Sequence, residues 1–391
     1  MRGSTTQYLQ RFEKCGIKVL DSIDRFSKRM TDDLKTLAAN VARLSQFLTS
    51  DRKSLPRAYL KDAGLRKAYI SYFLPTNTQK IRIPLQDLSR RPGNLLSQAR
   101  LRILDIGTGP GTALLGVMDF FFEQENSPEL ECTAVDPVAE NLKEAEAFFA
   151  AHRDKMNIRA SLKTIRADIE SVENLLDEGF DIIILSNVLN ELFSQDERRI
   201  DKRIGILKNI LSHVLSDTGS CIIIEPALRE TSRELLKVRD GLLVHGFRIF
   251  SPCFFSGNCP ALINPKDWCH EDIPWQPPDD IKEIDRLTGL RKDSLKFSYL
   301  VLRKDIFSLS DACDMHAVRI VSEPLISKGK VEFYICGRYG RRLITRLDKD
   351  RTTKNQLFET MHRGNVISCE QLLDEGKRLK VEKATKVCCL F

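Results

Sequence analysis

Two hydrophobic rhythms divide the chain. From about Tyr8 to Leu88, apolar residues recur at three- and four-residue intervals (Tyr8, Leu9, Phe12, Ile17, Leu20, Ile23, Phe26), the period of an amphipathic helix. Within this stretch AYISYFLPTNTQKI contains Pro75, which lacks the amide proton that a helix interior uses, so the helix is expected to break there. RRPGNL then marks a boundary. Beyond it, short apolar runs alternate with helical patterns. LRILDIG, ECTAVD, SLKTIRAD, FDIIILSN and GSCIIIEP read as strands; TALLGVMDFFFEQ, AENLKEAEAFFAAHR, RIGILKNILSHVL and SRELLKVRDGLLVHG read as helices. Alternation of this kind predicts an α/β fold, a parallel sheet with helices on both faces. FRIF and KFSYLVLRK extend it as a sixth and a seventh strand. From Ala317 onward, VRIVSEP, VEFYICGRYG, RRLITRLDK and NVISCEQLLDEGKRLKV read as short strands joined by turns.

The expected organisation is a helical region over 1–95, an α/β domain over 96–306 with an insertion at 251–295, and a small β-rich module over 307–391. Composition agrees with a globular protein, 42% apolar and 29% charged. No run of about 18 uncharged apolar residues is present to cross a bilayer, so no membrane partner is expected. The first twenty residues lack an apolar secretory core, and Glu13 and Asp21 weigh against a transit peptide, which leaves a cytoplasmic monomer as the expectation. Thiols stay reduced there, and the eleven cysteines are expected as buried thiols or metal ligands rather than disulfides. The net charge of +7 matches the surplus of residues 317–391 alone, where 16 Lys and Arg face 9 Asp and Glu. Such a tail is either a site for a polyanion or a solvated basic face.

LDIGTGPGTA is a strand, a glycine loop and a helix start. Gly107, Gly109 and Gly111 allow a tight turn and close approach of backbone N–H groups to a ligand. Asp105 precedes the loop by two residues. It places at the strand end a carboxylate that suits an ammonium group and not a pyrophosphate. Asp136, closing ECTAVD, lies where a second strand delivers an acid to a ribose diol. Asp168, after the third strand, is placed beside a nucleobase. These positions imply a ligand with an amino acid head, a ribose and an adenine, and no phosphate.

Leu101 to Glu225 resembles the class I S-adenosylmethionine-dependent methyltransferases. The resemblance implies a Rossmann-like sheet in which Asp105 and Gly107, Thr108, Gly109 and Gly111 face the methionine part, Asp136 the ribose, and Asp168 with Ile169 the adenine. Ser186, Asn187 and Glu191, in LSNVLNEL, fall at the expected mouth of the site or cap the following helix. The Asn/Asp-Pro-Pro-aromatic motif of nucleic-acid amino-group methyltransferases is absent, as is a Pro-Cys nucleophile, so no catalytic residue is assigned.

In SPCFFSGNCPALINPKDWCH, Cys253, Cys259 and Cys269 are separated by five and nine intervening residues, too many for zinc knuckles. Three loop-borne thiolates with a distant fourth suit an iron–sulfur cluster; three unconnected buried thiols are the simpler alternative. AYISYFLP, LDIGTGPGTA, SNVLNEL, IIIEP, the cysteine block and KFSYLVLR occur in the order of the mitochondrial small-ribosomal-subunit methyltransferase-like family, over about residues 57–340. That resemblance implies a 4Fe-4S cluster on Cys253, Cys259 and Cys269, with Cys336 as fourth ligand and Cys313 competing. It also implies small-subunit ribosomal RNA, or the assembling subunit, as partner, and the mitochondrial matrix as compartment in a eukaryotic host. Arg338, Arg341, Arg342, Arg346 and Lys349 around Tyr339 are the expected RNA contacts. A non-catalytic assembly factor on the same fold remains the alternative. A radical enzyme is disfavoured, because a tight three-cysteine loop is missing.

Overall fold

The computed structural model describes residues 34–56, 58–90, 95–124, 127–176, 179–255 and 257–391. The helical period from Tyr8 to Phe26, and Arg91 to Asn94 of the boundary, lie outside the described residues.

Runs of β-branched and apolar residues build the first sheet. Its strands are β1 (Arg100–Ile106), β2 (Glu129–Asp136), β3 (Ala160–Arg166), β4 (Phe180–Ser186), β5 (Leu215–Pro226), β6 (Arg248–Ser251), β7 (Glu271–Pro274) and β8 (Ser294–Arg303). They are ordered β3-β2-β1-β4-β5-β8-β6, with β7 also on β8. Strands β1 to β5 pair in parallel, as their alternation with helices requires. Strand β8, read from the sequence as the seventh strand without a direction, runs antiparallel to β5, β6 and β7. A strand buried on both faces carries the same continuous apolar run in either direction, so the pattern of KFSYLVLRK holds no sign of its polarity.

The helical region packs on this sheet through the helices Leu34–Leu48, Ala63–Ala68, Leu74–Thr78 and Arg82–Ser89. Pro75 does not break the path. A wide π turn, Tyr69–Phe73, precedes it and the helix restarts at Leu74, so Pro75 occupies a first turn where no amide proton is needed. Gly116 lets the helix Thr112–Phe122 close on this region; a Cβ there would strike the Thr78 carbonyl and Ile81. The same helix is tied across to the helix Ala139–Met156 by the buried pair His152–Asp119, 2.9 Å.

The C-terminal sheet comprises β9 (Ala317–Ile320), β10 (Leu325–Ser327), β11 (Lys330–Gly337), β12 (Gly340–Leu347), β13 (Val366–Glu370), β14 (Leu373–Asp374), β15 (Arg378–Val381) and β16 (Lys386–Cys389). It closes over Phe333, Ile335, Ile344, Phe358 and Leu379. Polar groups form its junction with the α/β domain. Arg319, 4% exposed, lies 3.1 Å from Glu271 and 3.6 Å from Asp87, and Asp87 also accepts the Tyr299 hydroxyl at 2.5 Å. Four segments, from the helical region, the insertion, β8 and β9, therefore meet at one buried charge network.

Candidate cofactor cleft and cysteine cavity

The sheet order reverses between β1 and β4, and ligands of open α/β sheets bind in the crevice beyond the strand ends at such a point. Gly107, Gly109 and Gly111 all have positive φ (70°, 54° and 85°), a conformation that a Cβ disfavours. The first turn is pinned by the Gly107 and Thr108 amides donating to the Val135 carbonyl at 2.8 and 3.1 Å. Val188, from the loop after β4, packs so closely on Gly107 that any side chain there would collide with it.

The acids of the cleft are buried. Asp105 accepts the Thr108 hydroxyl at 2.6 Å; burial pushes its carboxyl up to about 7, against the Thr108 bond and with help from Asp136. Asp136 accepts the Gly109 amide at 2.9 Å on one oxygen, and the Val138 amide and the Asn141 side chain on the other at 2.9 and 3.0 Å. Burial still raises it, because hydrogen bonds only partly replace lost water. Asp168 opens the turn Ile169–Ser171 beyond β3, near enough to add to the rise at Asp136, and Ile169 is buried. Glu225, at the end of β5, accepts the Leu189 and Asn190 amides at 2.9 and 3.2 Å, and burial raises it to about 7.

Ser186 ends β4, and Asn187 follows with φ 60°. Neither caps the next helix, Arg199–His213, which starts from Arg198. Their loop instead faces the helical region. The Arg52 guanidinium donates to the Asn190 side chain, and Tyr69 sits 3.5 Å from the Thr112 hydroxyl just past the glycine loop. Tyr59 and Tyr69 are half-buried, and both lie within electrostatic reach of Glu191. Arg52, Tyr59 and Tyr69 carried no signal in the sequence, where their spacing is that of any amphipathic helix. Glu225 was visible only as the polar end of an apolar strand.

The three cysteines of the insertion and Cys336 of β11 line one cavity; Cys313 is not among its lining residues. The helix Arg229–Val244 orders this proline-rich loop through side chains that satisfy its backbone. Arg233 donates to the carbonyls of Ala261, Asn264 and Asp267; Arg239 donates to those of Phe255 and Gly257; Asp240 accepts the Cys259 amide at 3.0 Å. Arg239 Nε also reaches Cys253 Sγ at 3.4 Å. From the β module, Arg341 lines the cavity and binds Asp267 at 2.5 Å. Burial raises Cys259 to about 12 and Cys269 to about 11, and lifts Cys336 as well. Among the described residues no three His, Cys, Asp or Glu side chains gather closely enough to hold a metal ion. The four sulfurs line a space rather than meeting at a point.

The expected RNA-facing arginines divide. Arg346 is fully buried, bound to Glu359 and the Asn355 carbonyl over the Phe358 ring, and serves the core of the module. Arg341 and Arg342 are held by Asp267 and Asp374. Arg338, over the Tyr339 ring at 4.6 Å, and the exposed Lys349 face outward. Among the described residues no helix is long and apolar enough to cross a membrane.

The glycine turn after β1, the acid closing β2 and the order β3-β2-β1-β4-β5-β8-β6 with β8 reversed define the Rossmann-like sheet of the class I methyltransferases. Within that class the chain belongs to the family described as mitochondrial small ribosomal subunit Rsm22, whose model matches residues 65–374. Solved structures similar to it include an O-methyltransferase family protein from Burkholderia thailandensis (17% identity, 67% of this chain and 64% of that one, TM-score 0.33). Others are an rRNA methylase from Streptococcus thermophilus (12%, 55% and 96%, 0.26) and a SAM-dependent methyltransferase from Methanosarcina mazei (15%, 54% and 94%, 0.33). No curated protein matches the chain.

Proposed function

We propose that the chain binds S-adenosylmethionine and transfers its methyl group to RNA of the small ribosomal subunit. One observation supports the cofactor reading: the buried carboxyls of Asp105 and Asp136 flank the positive-φ glycine turn at the switch point, Asp136 accepting the Gly109 amide, and burial raises the proton affinity of both. S-adenosylmethionine supplies an ammonium and a sulfonium. Asp105 would receive the amino acid head, Gly107 to Gly111 would lie under it, the unused lone pairs of Asp136 would accept the ribose hydroxyls, and Ile169 with Asp168 would border the adenine. Ser186 and Asn187 would close the methionine side. Because the methyl donor is already reactive, alignment of donor and acceptor supplies much of the rate. The RNA reading rests on family membership and on the basic β module.

The residues present fit a 4Fe-4S cluster on Cys253, Cys259, Cys269 and Cys336: thiols lining a cavity suit a multi-atom centre better than a single ion. Its part would be structural, joining β11 to the insertion. Arg239 and Arg341 would offset the charge of four thiolates.

Tritiated-methyl transfer from S-adenosylmethionine to small-subunit RNA isolated from a strain lacking the gene tests the reading. Incorporation that disappears with Gly107→Arg supports it. Cofactor binding without incorporation would favour an assembly factor that holds RNA on a methyltransferase fold.

A further inference from the structure

The site described above leaves one acid without a task. Glu191 lies in the loop between β4 and the helix Arg199–His213, three residues past Val188, which packs on Gly107. Its carboxylate makes no hydrogen bond or ion pair among the described residues, whereas its neighbour Glu225 is held by two backbone amides. Arg52, Tyr59 and Tyr69 from the helical region, Asp136 from β2 and Glu225 from β5 lie within electrostatic reach of it. Arg52 makes no ion pair with it, its guanidinium being bound to Asn190 and the Leu48 carbonyl.

On the proposed reading, the donor occupies the β1–β2 side of the switch point and the acceptor the β4–β5 side. We propose that Glu191 accepts the proton released from a planar ring nitrogen or exocyclic amine of RNA, which lies in the acceptor subsite bordered by Tyr59, Tyr69 and Asn187. The nitrogen lone pair forms the new C–N bond as the methyl carbon–sulfur bond breaks, sulfur keeps that electron pair, and the N–H proton passes to the Glu191 carboxylate. No other co-reactant is needed.

The surroundings favour this acceptor class. Carbon methylation of a pyrimidine needs a thiolate nucleophile. Cys132 and Cys221, in β2 and β5, are buried thiols whose ionisation burial suppresses. A nitrogen made cationic by methylation gives up its proton to a carboxylate, and two phenol rings suit a flat base. Burial, with Glu225 and Asp136 adding and Arg52 opposing, holds Glu191 at about 8. A cationic donor nearby favours its ionised form, so the proton acceptor is generated when the cofactor binds.

The test joins calorimetry with single-turnover transfer. Wild-type protein is expected to release protons on binding S-adenosylmethionine at pH 7, measured in buffers of different ionisation heat, and Glu191→Gln to release fewer with affinity changed less than fivefold. Transfer by Glu191→Gln should fall about 100- to 10,000-fold and lose its rise with pH, the range of general-base removal. Glu191→Asp should recover part of the rate, which separates a chemical role from misfolding. Nuclease digestion and mass spectrometry should place the methyl group on a base nitrogen. A Glu191→Gln rate within threefold of wild type, a ribose O-methyl or base C-methyl product, or cofactor binding without transfer would each overturn the proposal. Absence of cofactor binding in the wild type would sink the underlying reading instead.

Discussion

At the scale of single residues, the glycine loop and the acids around it follow from short-range rules. Gly107 needs positive φ and no side chain, because Val188 closes on it. Gly107→Ala is therefore expected to weaken cofactor binding at least tenfold and to lower the melting temperature, as followed by calorimetry and thermal unfolding. Asp136 fixes the Gly109 and Val138 amides and is the proposed ribose ligand, so Asp136→Asn should cost affinity by roughly 10- to 100-fold, the worth of a charge-assisted hydrogen bond. Asp105, Gly107 and Asp136 were legible in the sequence because strand, turn and acid recur at fixed spacing on one sheet edge. Arg52, Tyr59 and Tyr69 were not, since only tertiary packing carries the helical region across the cleft. Arg346 misled for the reverse reason: an arginine that serves a core with Phe358 and Glu359 has the same one-letter neighbourhood as an RNA contact.

At the scale of elements, the strands and the long helices were readable from periodicity, but three features were not. The direction of β8 leaves no mark in a doubly buried strand. The π turn before Pro75 depends on how the chain rewinds around a missing N–H, which the proline alone does not specify. The order of the cysteine loop comes from Arg233, Arg239 and Asp240 of the helix Arg229–Val244, which satisfy backbone groups that an isolated loop would leave to water. Cys336 shares the cavity with the insertion cysteines, while Cys313 contacts the Leu309 carbonyl elsewhere. If the cavity holds a cluster, Cys336→Ser should abolish visible absorbance and iron content in anaerobically purified protein, and Cys313→Ser should leave both intact. Equal loss in the two variants would refute that ligand set.

For the whole molecule, the β module is joined to the rest through Arg319, the Arg341–Asp267 pair, and Arg363, which donates to the His270 carbonyl at 3.1 Å. None of these bonds has a sulfur as partner, so metal loss alone is not expected to release the module. Removing one partner of a buried ion pair costs about 3–5 kcal/mol because the other charge stays buried. Arg319→Met should accordingly destabilise the junction on that scale and open the linker around 304–316 to limited proteolysis, with cofactor affinity little changed. The basic surplus of residues 317–391 was legible from composition, yet its division between internal pairs and an outward face at Arg338 and Lys349 required the fold.

On the proposed reading a group of buried acids at the switch point receives a cationic cofactor, and calorimetric titration of S-adenosylmethionine at pH 6 and pH 8 tests this most directly. Asp105, raised to about 7, is protonated in the free protein below that value and must ionise to face the ammonium. Affinity should therefore increase with pH, by up to about tenfold per unit below the raised value. Asp105→Asn should bind weakly with a reduced pH dependence. Affinity that is unchanged between the two pH values, or no binding at either, would contradict the account.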